Sequence, residues 1–274
     1  VPFKNNTYNS VIVKSINLKF WLANIIDACE MKASYIGLSP KYYGKVYDDK
    51  KNIDDATMFL SVTEELWITL DDLQWGSKYK SKMANISFES RLKAYIDIFQ
   101  RFKNFQDENL VHSDIKPANI VLVEDPNIKQ EFSLRFIDFD GCDSKDNGSY
   151  VSTIMYEFYP FSKTLKLEND LWSLIYSLTL VEFFSNNFSK RIYLQKKFGY
   201  GWLSKRSLAL EKNFASLGLD PNSRRSKLFQ LFIKCLKDIN NCTCGVIVSE
   251  LEIVANLGKS KNEKKWEVKN EYCP

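Results

Sequence analysis

The feature that most constrains this chain is the stretch Leu110-Val-His-Ser-Asp-Ile-Lys-Pro-Ala-Asn-Ile-Val-Leu-Val123, a polar octet from His112 to Asn119 held between two apolar runs. Asp114 and Asn119 stand five residues apart, with Lys116 between them and Pro117 stiffening the turn. A carboxylate, an amine and an amide oxygen on one short loop can accept a hydroxyl proton, steady a phosphate and bind a divalent cation. Fifteen residues after Val123, the run Phe136-Ile-Asp-Phe-Asp-Gly141 supplies a further carboxylate, Asp138, behind an apolar strand.

Together these stretches resemble the catalytic loop and the metal-binding motif of the protein kinase family. Asp170-Leu-Trp-Ser173 is similar to the start of that family's central helix, whose aspartate accepts backbone hydrogen bonds from the catalytic loop. The resemblance implies an α+β, bilobal fold. A small β-rich N-lobe with one helix would span residues 1–66, and a large helical C-lobe residues 67–274. It implies ATP and Mg2+ as cofactors, and transfer of the γ-phosphate to serine or threonine hydroxyls of a protein substrate. The lysine two positions after Asp114 is the mark of serine/threonine rather than tyrosine specificity.

The resemblance also assigns roles. Asp114 orients and deprotonates the acceptor, Lys116 meets the γ-phosphate, and Asn119 and Asp138 hold Mg2+. Lys14, closing Val11-Ile-Val-Lys14, fixes the inner phosphates, and Glu30 on the following helix holds that lysine. Thr63 guards the back of the adenine pocket, with Glu64 to Leu66 offering backbone groups to the purine. His112, the single histidine, is expected to be structural, packed under Phe139 and facing Asp170. Two alternatives share much of this pattern. One is a pseudokinase used as a nucleotide-binding or regulatory module. The other is a small-molecule kinase of the aminoglycoside or choline type, from which Lys116-Pro117 and Asp170-x-Trp-Ser173 depart.

Periodicity supplies the elements. Alternation predicts strands over 10–16, 41–48 and 58–66, and a helix over 17–37 on Leu18, Trp21, Leu22, Ile25, Ile26 and Cys29. Ser87 can cap an amphipathic helix over 87–106 with Leu92, Ile96, Phe99 and either Phe102 or Lys103 on one face. Strands follow at 120–123 and 134–139. The apolar run 170–184 predicts a buried helix, and 227–238 and 244–255 two more. Residues 141–160 match the place of an activation segment, with Ser149, Tyr150, Ser152 and Thr153 able to accept phosphate. The basic stretch 188–226 is expected to be a solvated face.

The chain also departs from the family pattern. Ser113 stands where an arginine normally precedes the catalytic aspartate and answers a phosphate on the activation segment. Activity is therefore expected not to depend on phosphorylation there. Asp140 stands where a glycine is usual. The usual glutamate closing the segment is missing at Phe158-Tyr-Pro160, and its arginine partner at Asn240-Asn-Cys-Thr-Cys244. No glycine-rich phosphate loop is visible; Phe3-Lys4 resembles the strand after it, so the loop lies upstream of Val1 or is missing.

Composition narrows the partners. A net charge of +4 spread along the chain permits nucleotide phosphates and gives no argument for nucleic acid. The longest apolar runs fall short of a membrane span. Six cysteines without regular spacing point to free buried thiols, which favours an intracellular setting, cytoplasmic or nuclear, and Cys242-Thr-Cys244 has no second half for zinc.

Overall fold

The computed structural model describes residues 11–18, 20–47, 57–64, 68–75, 85–124, 132–144, 167–184, 210–212 and 217–257. Side chains are described for 26–43, 68–72, 85–123, 132–143, 167–184, 210–212 and 217–257. The chain is mixed α+β, with a small three-stranded sheet and mostly helices. Among the described residues no helix is long and apolar enough to cross a membrane.

The β-branched run at Val11 opens β1 (Val11–Leu18), two residues longer at its end than the alternation suggests. It pairs antiparallel with β3 (Thr57–Glu64), which also pairs with β2 (Tyr42–Tyr47), in the order β1-β3-β2. The register sets Lys14 opposite Ser61, and Thr63 between Ile12 and Tyr42. The helix between the first two strands, α1 (Phe20–Tyr35), starts later than its periodicity implies because 17 and 18 belong to β1. Tyr42 anchors β2 to α1: its hydroxyl donates to Asp27, and its amide donates to Ser34 Oγ at 2.9 Å.

The end of α1 is fastened to the rest of the chain. Gly37 takes φ +71°, a backbone that favours glycine, and a Cβ there would fall 2.0 Å from Arg101 Nη1 and displace the guanidinium. Arg101 Nη1 donates to the Gly37 carbonyl at 3.2 Å, and the Phe136 amide to that of Leu38 at 2.7 Å.

A second sheet follows the order β4-β6-β7: β4 (Ile68–Thr69), β6 (Ile120–Glu124) and β7 (Phe132–Phe136). Strand β7 stops at Phe136, short of the expected 139, because the backbone turns at Asp138. The short helix α2 (Leu70–Trp75) follows β4 directly, and Thr69 caps it: its hydroxyl accepts from the Asp72 amide at 3.0 Å, and the Asp72 carboxylate accepts in turn from the Thr69 amide at 3.1 Å. Two short strands, β5 (Leu110–Val111) and β8 (Asp143–Ser144), pair with each other.

Helix α3 (Phe88–Asp107) is capped by Ser87, whose hydroxyl accepts from the Ser90 amide. It buries Leu92, Tyr95, Ile98, Phe99, Phe102 and Phe105, a wider face than one stripe. The reason is that it packs on two sides, against β7 and against α6 (Cys244–Asn256). Helix α4 (Leu167–Phe184) is buried at every position from Asn169 onward, so its apolar run has no solvent side to mark a period. Trp172 in it is fully buried and stacks on Tyr176 at 4.7 Å. Helix α5 (Arg224–Lys237) begins three residues before the periodic pattern, on a Ser223 cap. The five described cysteines, Cys29, Cys142, Cys235, Cys242 and Cys244, are free and buried.

Of the basic stretch 188–226, residues 210–212 and 217–226 are described; Lys212 and 220–222 are exposed as expected, whereas Arg224 and Arg225 depart from a solvated face. Arg224 is 5% exposed and pairs with Glu89 at 2.8 Å. Arg225 reaches Glu182 at 3.1 Å, and Arg91 grips the same carboxylate with two nitrogens at 2.8 and 3.1 Å. The Tyr95 hydroxyl donates to it at 2.8 Å. Burial opposes ionisation of Glu182, but the two guanidinium groups outweigh it and hold the carboxyl below the usual glutamate range. The network ties α3, α4 and α5 with one buried anion, a role no short motif announces. Glu182→Gln keeps the size and leaves two half-buried arginines, Arg91 and Arg225, without their counter-ion. The expected loss is about 3–5 kcal/mol, seen as a lower urea midpoint; a loss under about 1 kcal/mol refutes the reading.

Candidate active site

Strand pairing alone brings the two polar loops together. The octet His112–Asn119 lies between β5 and β6, and Ile137–Cys142 lies between β7 and β8. β6 pairs with β7, setting Ile120 opposite Phe136. β5 pairs with β8, setting Val111 opposite Asp143. Each loop is therefore tied to the other at both ends. A further bond crosses between them, from the Ile137 amide to the Asn119 carbonyl at 3.0 Å. The β5–β8 pair was not legible in the sequence, since two residues carry no period.

Within the octet, Lys116 Nζ lies 2.6 Å from Asp114 Oδ2, with both side chains about a fifth exposed (24% and 18%). Asn119 is 5% exposed; its Nδ2 donates to the Asp114 carbonyl at 2.9 Å and to Asp114 Oδ2 at 3.2 Å. The 3-10 turn Pro117–Asn119 sets that geometry, with Pro117 at its start where no amide donor is needed. Because Nδ2 is committed inward, Oδ1 is the side-chain atom of Asn119 left to face a cation. Asp138 takes a left-handed backbone, φ 67° and ψ 65°, and precedes the 3-10 turn Phe139–Gly141 without a side-chain capping bond to it. That conformation is costly for a residue other than glycine, and it marks the turn as set by its surroundings.

Asp170 of α4 holds the octet from beneath. Fully buried, it accepts from the His112 amide at 2.5 Å and from the Ser113 amide at 3.0 Å. Burial pushes its carboxyl up to about 7, against the pull of those two amides, and the Asp114 charge adds to the rise. His112 packs under Phe139, ring centroids 4.7 Å apart, as expected. The expected contact with Asp170 is made by its backbone, not its ring. The ring instead joins the two loops: Nε2 meets the Ile137 carbonyl at 3.1 Å, and Nδ1 lies 3.4 Å from the Asp114 amide. A carbonyl only accepts, so the proton is assigned to Nε2. Burial lowers the imidazole below its ordinary value, outweighing Asp114 and Asp138, and the ring is neutral in this role.

The remaining expected site residues fall at the edge of what is described. Glu30 lies in α1 and is 7% exposed, on the helix that contacts the Phe139–Gly141 turn. Lys14, Thr63 and Glu64 are placed by backbone only. Leu66 lies outside the described residues, as do Ser149, Tyr150, Ser152 and Thr153. Among the described residues no three His, Cys, Asp or Glu side chains gather as a metal cage. Mg2+ needs no such cage, since one or two protein oxygens and the phosphates suffice, and Asn119 and Asp138 are donors of that kind. No protein-family model matches this chain, and no curated protein sequence matches it. The chemistry of the site is therefore read from its own residues.

His112 is the only histidine, so its ring signal titrates alone in an NMR experiment. Its midpoint in the folded chain is expected below 6.5, and one at or above 6.5 contradicts the geometry. Its contribution to stability is present above that ordinary value and is lost as pH falls through the folded-state value. Asp170 runs the other way: its contribution is present below its ordinary 3.8 and is lost as pH rises through about 7. Asp170→Asn is destabilising, since one amide then faces an Nδ2 donor. The variant also gains on the wild type as pH rises from 3.8 to about 7. A constant gap across that range, in urea titrations at stepped pH, overturns the assignment.

Proposed function

We propose that this chain is a divergent protein kinase that transfers the ATP γ-phosphate to serine or threonine hydroxyls of a protein substrate. One observation carries the reading: Lys116 and Asn119 are both hydrogen-bonded to Asp114 on a loop tied at both ends to the loop that bears Asp138. Phosphoryl transfer needs positioning and charge neutralisation more than covalent help, and this cluster offers both.

In this reading residues 1–66 form a small lobe and 67–274 a large one, with the nucleotide between them. Asp114 orients the acceptor hydroxyl and takes its proton. Lys116, already within reach of Asp114, meets the γ-phosphate as negative charge builds on it. Asn119 and Asp138 hold Mg2+, which supplies neutralising charge at the phosphates. Lys14, steadied by Glu30, holds the inner phosphates, and Thr63 and Glu64 to Leu66 border the adenine. His112 positions the loops and carries no proton in the reaction, because both its ring nitrogens are engaged in joining them.

A thermal-shift titration with ATP and Mg2+, paired with phosphate transfer to a generic basic protein, tests the proposal. ATP is expected to stabilise the chain in a Mg2+-dependent way. Asp138→Asn is expected to lose the Mg2+-dependent part of that shift. Asp114→Asn is expected to keep it while transfer falls about 10²- to 10⁴-fold. Binding without transfer in the wild type identifies a nucleotide-binding regulatory module instead. Transfer to small alcohols alone identifies a small-molecule kinase.

A further inference from the structure

Ser113 stands where the family pattern would set a charged side chain, and it is almost fully buried, 3% exposed. Its backbone is left-handed at φ 67°, a conformation that costs serine more than glycine. Two bonds fix it there. Its amide donates to Asp170 Oδ1 at 3.0 Å, and its hydroxyl donates to the Gly141 carbonyl at 2.6 Å. Gly141 ends the 3-10 turn that Asp138 begins. One residue thus joins the floor of the site, the loop bearing Asp114 and the turn bearing Asp138, through neutral donors alone.

We propose that Ser113 is a positioning residue: its hydroxyl clamps the Asp138 turn to the catalytic loop permanently, so the metal-holding geometry needs no added phosphate to form. The inference rests on the phosphotransfer reading above. A guanidinium at this place would have needed an anion to settle it, whereas a buried hydroxyl finds its acceptor within the fold. The clamp acts on Asp138 through Gly141 and touches neither nucleotide nor acceptor, so its loss weakens the use of Mg2+ before it weakens folding.

Two variants separate the hydroxyl from the backbone. Ser113→Ala removes the hydroxyl and keeps the left-handed cost, while Ser113→Gly removes both. The first measurement is amide exchange over residues 138–144 in the chain alone, with α3 and α6 as internal controls. The second is the Mg2+ concentration that gives half of the ATP-dependent thermal shift. Both variants are expected to exchange about five- to tenfold faster over 138–144, with α3 and α6 unchanged. In both, the Mg2+ midpoint is expected to rise by a similar factor.

A structural role limited to backbone strain predicts a wild-type midpoint in Ser113→Gly, and that result overturns the proposal. Unchanged exchange and unchanged midpoints in both variants overturn it equally, and leave the phosphotransfer reading standing. A wild-type chain with no Mg2+-dependent response to ATP overturns that reading and the inference with it.

Discussion

The buried carboxylate of Asp170 is the interaction on which the rest of the site depends. A carboxylate with no solvent exposure is costly to keep in a protein, and only strong donors justify it. Here the donors are the amides of His112 and Ser113, two backbone groups with no partner in a strand or helix. Each side needs the other. The octet cannot leave the central helix without stranding the Asp170 carboxyl oxygens in an apolar interior, and the two amides lose their acceptor with it. That mutual need lets a loop carry Asp114, Lys116 and Asn119 with the rigidity of an element.

Around this floor the site is closed by redundancy. Two strand pairs, the Ile137–Asn119 bond, the His112 ring and the Ser113 hydroxyl all join the same two loops. None is strong alone, since a hydrogen bond contributes about 0.5–1.5 kcal/mol net. Together they hold two left-handed residues, Ser113 and Asp138, in conformations neither would choose in isolation. Of the three left-handed residues other than glycine among the described ones, Asn109, Ser113 and Asp138, two lie in these paired loops.

The outer support is of a different kind. The Glu182 cluster draws Arg91, Tyr95 and Arg225 onto one anion and sets three helices against one another. Arg101 and the Gly37 turn fix the end of α1, and with it the helix bearing Glu30. Part of this was visible in advance. The Ser87 cap, the all-round apolar helix after Asp170 and the strand at 120 follow from local patterns of residues three, four or two apart. The burial of Arg224 and Arg225 did not follow, because charge alone cannot tell a solvated face from a buried network. What decides it is an anion on another helix, Glu89 for Arg224 and Glu182 for Arg225, 135 and 43 residues away in sequence.

What the sequence by itself determined is the chemistry available. It shows which side chains on the octet can take a proton, steady a phosphate or face a cation, and which runs are apolar enough to surround them. The tertiary structure alone decided how those groups are held. It made Ser113 a clamp, turned the His112 ring toward Ile137 in place of Asp170, and paired two two-residue strands to close the second end of the loops. The physical reason is range. Periodicity and capping act over a turn or two of chain, whereas these contacts join residues from 25 to 58 positions apart and exist only once the core has brought them together.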